Sequence, residues 1–201
     1  IEFKPKKDVS MGQHDALKVV QKAALPIPVG TPAGDSLAIL AISRALNMFT
    51  EWDTAERMEH WSNVSVWKDG PEKGRVRYVQ FFMFKTMEEI PFEIQYLTAA
   101  EEIIIYSNAN HFLRNLDTGE HITKLTNLKR LTIGAYGLTS LHPDFKNLKN
   151  LEYLDLSSNC FQTIPDILTP ENFPNLHALV INANQRHTIY DLSNDIRENV
   201  G

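Results

Sequence analysis

Apolar residues in the second half of the chain recur in one spacing. Leu151, Leu154 and Leu156 are followed by Asn159 and Phe161, in the form Leu-x-x-Leu-x-Leu-x-x-Asn-x-Phe. Leu128, Leu131, Ile133, Tyr136 and Leu138 precede that stretch in the same register, and Leu176, Leu179, Ile181 and Asn184 follow it. Further upstream, Ala100, Ile103, Ile105 and Asn108 fit, as do Val76, Val79 and Phe81. The five matches begin at positions 76, 100, 128, 151 and 176, at intervals of 24, 28, 23 and 25 residues. The fourth and sixth residues of each match lie two apart, so on an extended segment both point to one side. Each repeat therefore predicts a short strand with its apolar positions turned inward. A single repeat is too short to bury its own apolar edge, and stacking joins those edges into one core. Successive strands then pair in parallel about 4.8 Å apart.

The connecting halves carry a second signature, since Ile90-Pro91-x-x-Ile94-x-x-Leu97 returns as Ile164-Pro165-x-x-Leu168. The chain must turn sharply after each strand and strands backbone groups inside. An asparagine amide, with two donors and one acceptor, can satisfy them. Asn108, Asn159 and Asn184 occupy that place and predict a structural ladder, which Phe84 and Tyr136 interrupt in the first and third repeats. Asparagine usage agrees: 13 of the 15 asparagines follow residue 100. The long second repeat predicts an outward bulge around residues 110–114.

Upstream of the repeats the pattern changes. Thr31-Pro32-Ala33-Gly34-Asp35-Ser36 reads as a turn and helix N-cap, and Leu37, Leu40, Ala41, Ile42, Ala45 and Leu46 as a helix with a wide apolar face. A second helix is expected across residues 53–60. Trp52, Trp61 and Trp67 follow in order, and Gly70-Pro71-x-x-Gly74 turns the chain into Arg75-Val76. Three parts are therefore expected. Residues 1–34 form an N-terminal segment or a linker from a preceding domain, with a short amphipathic helix over 15–25. Residues 35–73 form a helical cap, and residues 74–201 about five repeats. One more period after Leu176 reaches residue 201, so the array is expected to be truncated at that end.

The repeat resembles the leucine-rich repeat family over residues 74–201. The resemblance implies an α/β fold: a right-handed solenoid with short parallel strands on its concave face and an N-terminal helical cap. The helix, the spaced tryptophans and the Gly74-Arg75-Val76 lead-in are similar to the cap of extracellular members. Plant receptor members carry a cysteine pair and a full Leu-x-Gly-x-Ile-Pro connection, both missing here. The resemblance accordingly points to the bacterial cell-surface type, many of them lipoproteins. It implies an extracellular or cell-surface location, with membrane contact only through a lipid anchor outside this chain.

Composition narrows the chemistry. A hydrophobic fraction of 43% and a charged fraction of 22% suit a packed core. The net charge of −5, with 20 scattered Lys and Arg residues, argues against nucleic acid as a partner. No apolar run reaches the roughly 18 residues of a membrane span. The single cysteine, Cys160, excludes an internal disulfide and reads as a structural thiol. No nucleophile elbow, phosphate-binding loop or zinc-protease motif is present, and the seven histidines stand apart. Glu56 and His60, four apart, read as an ordinary side-chain pair. No catalytic residue, metal or cofactor is expected, and the chain is not read as an enzyme.

Strand residues between the core positions should face solvent in columns. The first column is Tyr78, Glu102, Arg130, Tyr153 and Ala178; the second is Gln80, Ile104, Thr132, Asp155 and Val180; the third is Phe82, Tyr106, Gly134, Ser157 and Asn182. Tyr78, Phe82, Ile104, Tyr106, Arg130, Tyr153 and Asp155 are the candidate binding residues. Exposed aromatics on a rigid sheet are typical interface anchors, and Glu101, Glu102, Lys129 and Arg130 supply a charged rim. Two functions fit. One is a non-enzymatic recognition module for a protein or peptide on the concave face. The other is a glycan- or cell-wall-binding surface, with Tyr78, Phe82, Tyr106 and Tyr153 stacking on sugar rings.

Overall fold

The computed structural model describes residues 27–48, 52, 54–82, 89–107 and 117–184. The positions of Phe84 and Asn108, the 110–114 stretch, the helix expected over 15–25 and the end of the array lie outside the described residues. Helix α1 spans Pro32–Ala45, and six strands follow: β1 (Val64–Val66), β2 (Val76–Phe82), β3 (Glu102–Tyr106), β4 (Arg130–Gly134), β5 (Tyr153–Asp155) and β6 (Ala178–Val180). They form one sheet in sequence order. Strands β2 to β6 are parallel neighbours, whereas β1 pairs antiparallel with β2.

Strands β2 to β5 bury the two positions that the period placed inward, while Leu179 in β6 and Ile181 just after it are only partly buried. Val79 and Phe81, Ile103 and Ile105, Leu131 and Ile133, and Leu154 and Leu156 are all within 1% of full burial. Short 3₁₀ turns at Phe92–Tyr96, His121–Lys124 and Pro143–Asn147 close the opposite side. They contribute Ile94, Ile122 and Phe145, all fully buried, to the same core. The core is therefore continuous from one repeat to the next, as stacking requires.

Asparagine side chains satisfy the backbone at two of the turns. Asn159 is fully buried. Its Oδ1 accepts from the amides of Tyr136 (3.0 Å) and Leu138 (3.2 Å), and its Nδ2 donates to the carbonyls of Ile133 (2.6 Å) and Leu156 (3.0 Å). Asn184 repeats the arrangement one coil later, accepting from Phe161 N at 3.2 Å and donating to Leu156 O and Ile181 O. The residue before each ladder position takes a left-handed backbone: Ala135 (φ 51), Ser158 (φ 58) and Ala183 (φ 56). The sharp turn thus imposes strain on side-chain-bearing residues. A second ladder runs along the outside. Asn127, Asn150 and Asn175 each donate Nδ2 to a carbonyl of the preceding coil: those of Thr98, Thr126 and Lys149, at 2.8–3.0 Å.

The region before β2 differs from expectation in three ways. Helix α1 begins at Pro32 because Thr31 is the N-cap, its Oγ1 accepting from Gly34 N, with Pro32 in the first turn where no amide donor is needed. It ends at Asn47 (φ 48), where Asn47 N and Met48 N donate to Arg44 O and Ser43 O. The second helix expected across 53–60 is replaced by a single 3₁₀ turn at Met58–His60. So short a helix is marginal without a long apolar face, and here the chain instead turns to bring Trp52 and Trp61 together. Their rings stack at 5.8 Å, and Trp52 meets Phe81 edge-on at 6.0 Å, which covers the first coil of the core. Strand β1 is the third difference. It is too short to show an alternating pattern, and it shields the edge of β2.

Asp35 locks α1 to the repeats. Its carboxylate, fully buried, accepts Arg75 Nε at 2.9 Å, Arg75 Nη2 at 3.0 Å and the amide of Val76 at 2.8 Å. Arg75 also reaches Glu72 and Thr98. Burial pushes the Asp35 carboxyl up, and the hydrogen bonds from Arg75 and Val76 pull against that rise.

Candidate functional site

The parallel register aligns the solvent-facing strand positions. Cα partners run Tyr78–Glu102–Arg130–Tyr153–Ala178 in the first column and Gln80–Ile104–Thr132–Asp155–Val180 in the second. In the third, Phe82 pairs with Tyr106 and Tyr106 with Gly134. The turns continue it, since Ala135 N donates to Ser157 O and Ser158 N to Asn182 O. All seven candidate binding residues thus stand on one side of one sheet, with the core on the other. Strand β1 lengthens this wall beyond the repeats: Ser65 pairs with Tyr78, and Gln80 N donates to Asn63 O. That extension had no signal in the repeat pattern.

Tyr106 is the most open of the aromatic candidates, at 39% exposure, while Tyr78, Phe82 and Tyr153 are half-buried. The Tyr106 ring leans over Gly134, where an added Cβ would come 2.5 Å from ring carbon Cδ2. Gly134 is therefore the residue that lets the ring lie across the neighbouring coil. Tyr78 donates its hydroxyl to Gln80 Oε1 at 3.0 Å, and burial, aided by the Glu102 charge, pushes that hydroxyl's pKa up.

The rim is electrostatically ordered. Glu101 bridges Arg77 (2.9 Å) and Lys129 (2.6 Å) across three coils, and these cations hold its carboxyl below the ordinary range, the Lys129 hydrogen bond foremost. The same contact raises Lys129. Arg130 Nε lies 3.3 Å from Glu102, and its guanidinium sits 4.3 Å over the Tyr153 ring. Arg77 in turn lies 5.1 Å over Trp67, whose Nε1 donates to Ala99 O. Both arginines are thus braced by an aromatic face and a carboxylate.

The titratable groups elsewhere do not converge. His60 Nδ1 meets Glu56 at 3.2 Å on the surface. His142 Nδ1 accepts from Asp144 N, and His177 Nδ1 lies 3.3 Å from Asn175 O. Among the described residues no group of three His, Cys, Asp or Glu side chains is placed to hold a metal ion. Cys160 is 2% exposed, and burial pushes its thiol up, away from the reactive thiolate.

Comparison with known proteins bears on the repeats. A leucine rich repeat family model matches residues 126–185. That match covers the third to fifth coils, with both the inner and outer asparagine ladders, and supports a leucine-rich repeat reading of the array. Among solved structures the chain is similar to a plant ice-binding protein, at 26% identity and a TM-score of 0.58. The alignment covers 73% of this chain and 47% of that one, so the chain spans less than half that protein's length. It is also similar to the leucine-rich repeat ectodomain of the receptor kinase SOBIR1 from Arabidopsis thaliana, at 16% identity and a TM-score of 0.43, covering 75% of this chain and 92% of that one. No curated protein sequence matches the chain. Among the described residues no helix is long and apolar enough to cross a membrane.

Proposed function

We propose that the chain is a non-enzymatic recognition module that binds a protein or peptide on the concave face of its repeat array, in an extracellular or cell-surface setting. The observation that carries this reading is the alignment of Tyr78, Phe82, Ile104 and Tyr106 on a surface that the core does not need. In the first four coils the inward strand positions are already buried on the opposite side. Half-open aromatics on a stiff sheet lose little freedom on binding, and the rim charges are held by neighbours before a partner arrives. The dispersal of histidines and the raised Cys160 thiol favour binding over catalysis.

A glycan partner has less support. Sugar stacking needs open ring faces, and Arg130 covers one face of Tyr153 while Tyr106 rests on Gly134. Ice binding, which the similar plant protein's name records, also fits poorly. A crystal lattice is met by repeated identical groups, whereas the first column here reads Tyr, Glu, Arg, Tyr, Ala. The test compares the immobilised full chain with a Phe82→Ala/Tyr106→Ala double variant, scoring retained surface proteins, and titrates both with soluble polysaccharides by intrinsic fluorescence. Protein retention that disappears in the variant supports the reading. Equal retention by both, or a polysaccharide response lost in the variant, overturns it.

A further inference from the structure

The charges on the wall are not balanced evenly along it, and the imbalance specifies the partner. On the first three coils Arg77 and Lys129 share Glu101, and Arg130 is held by Glu102. Two coils beyond Glu102, Asp155 stands in the second column, and among the described residues its Oδ1 accepts the amide of Ser157, at 2.8 Å. Asp155 has no counter-ion within ion-pair distance among the described residues, whereas Glu152, just before the strand, acts on Lys129 of the preceding coil. The wall therefore has an apolar end, at Ile104 and Tyr106, and an anionic end at Asp155. The intervening column residue is Thr132, which blocks neither.

Resting on the recognition reading above, we infer that the partner is a peptide segment carrying a basic side chain three residues from an apolar one. The apolar side chain sits over Ile104 and Tyr106, and the cation over Asp155. Ile104 and Asp155 lie two strands apart in one column, a distance of about 10 Å at the usual strand spacing. A segment in the polyproline II conformation rises about 3.1 Å per residue with three residues per turn, so side chains three apart face the same side about 9 Å from each other and bridge it. An acidic segment is disfavoured, because the cations it would seek are already paired and the Asp155 charge would repel it.

The probe is a phage-displayed library of random linear peptides selected on the immobilised full chain, with chosen peptides then titrated by fluorescence anisotropy. Selection should enrich Lys or Arg three positions from Leu, Phe or Trp. Such a peptide should bind Asp155→Asn at least about fivefold more weakly, and the asparagine keeps the acceptor for Ser157 N. Asp166→Asn, on an exposed connecting segment, should leave the affinity unchanged. Asp155→Lys should invert the preference toward acidic peptides. Peptides that lack basic residues, or that bind Asp155→Asn as well as the parent, overturn this inference and leave the recognition reading standing. A selection that enriches nothing overturns both.

Discussion

Replacing Asn159 with alanine removes an amide that bonds five backbone groups, the carbonyl of Ser157 most distantly at 3.4 Å. Its Oδ1 is the acceptor for two buried donors, Tyr136 N and Leu138 N, and its Nδ2 serves the carbonyls of Ile133 and Leu156. Leu156 O keeps a second donor in Asn184, so its loss is small. The two amides are the main cost, at roughly 1–3 kcal/mol for each donor left unpaired in the interior. Water entering the space left by the side chain recovers part of that, which brings the expected loss to about 2–4 kcal/mol, a large share of a typical domain's roughly 5–15. In urea, with a slope of about 2 kcal/mol per molar, the midpoint should fall by about 1–2 M. Asn184→Ala is the internal comparison. Among the described residues its Oδ1 accepts from one amide, Phe161 N, so its midpoint should fall less. A shift for Asn159→Ala below about 0.3 M would refute the reasoning, because it would mean that the turns do not rely on the side-chain amide.

Three further outcomes are expected. Asp35→Ala leaves the Arg75 guanidinium buried without its bidentate partner and should cost about 3–5 kcal/mol in chemical denaturation; a loss under 1 kcal/mol, on the order of an exposed pair, would show that the clamp is dispensable. Ala135→Gly relieves a left-handed backbone at φ 51 and should stabilise by up to about 1 kcal/mol in a thermal melt, whereas destabilisation would count against strain at that turn. Glu101 binds its proton more weakly folded than unfolded, so the stability it adds is full above its ordinary carboxylate range and fades as pH falls through the lowered folded value. Glu101→Gln should therefore lose up to about 1 kcal/mol at neutral pH and little at about pH 3, and an equal loss at both would contradict the assignment.

What could be read ahead of the structure followed from one periodic constraint. Once the positions of Leu131, Leu154 and Leu179 are fixed inward by a common period, parallel stacking leaves no freedom in register, so the solvent-facing columns follow residue by residue. Tyr106 and Arg130 stand in those columns for that reason, and Asn159 and Asn184 at the equivalent turns. The features that escaped are those without a period. Strand β1 has three residues and pairs antiparallel, so nothing in Val64-Ser65-Val66 distinguishes it from a loop. The Asp35–Arg75 pair joins residues 40 apart, and a charge pattern along the chain does not reveal such a contact. The helix expected over 53–60 failed because its residues answer to the Trp52–Trp61 stack, a tertiary contact that overrides local preference. The outer asparagine ladder was legible in principle: Asn127-Leu128, Asn150-Leu151 and Asn175-Leu176 repeat the same dipeptide at the repeat period. The side-chain details of the wall, such as Tyr106 resting on Gly134 and Arg130 stacking on Tyr153, depend on rotamers that no linear pattern encodes.

The register of adjacent coils carries both the fold and the binding wall, and paired cysteines test it directly. Ile104 and Thr132 are Cα partners on neighbouring parallel strands, separated by about 4.8 Å, within reach of a disulfide. Treated with a mild oxidant such as oxidised glutathione, the Ile104→Cys/Thr132→Cys variant should form an internal disulfide, seen as a mass two hydrogen atoms lighter and a thiol titre of one from buried Cys160. Pairing Ile104→Cys instead with Asp155→Cys, two strands away, should leave both thiols free. Disulfide formation in the second variant but not the first would contradict the account.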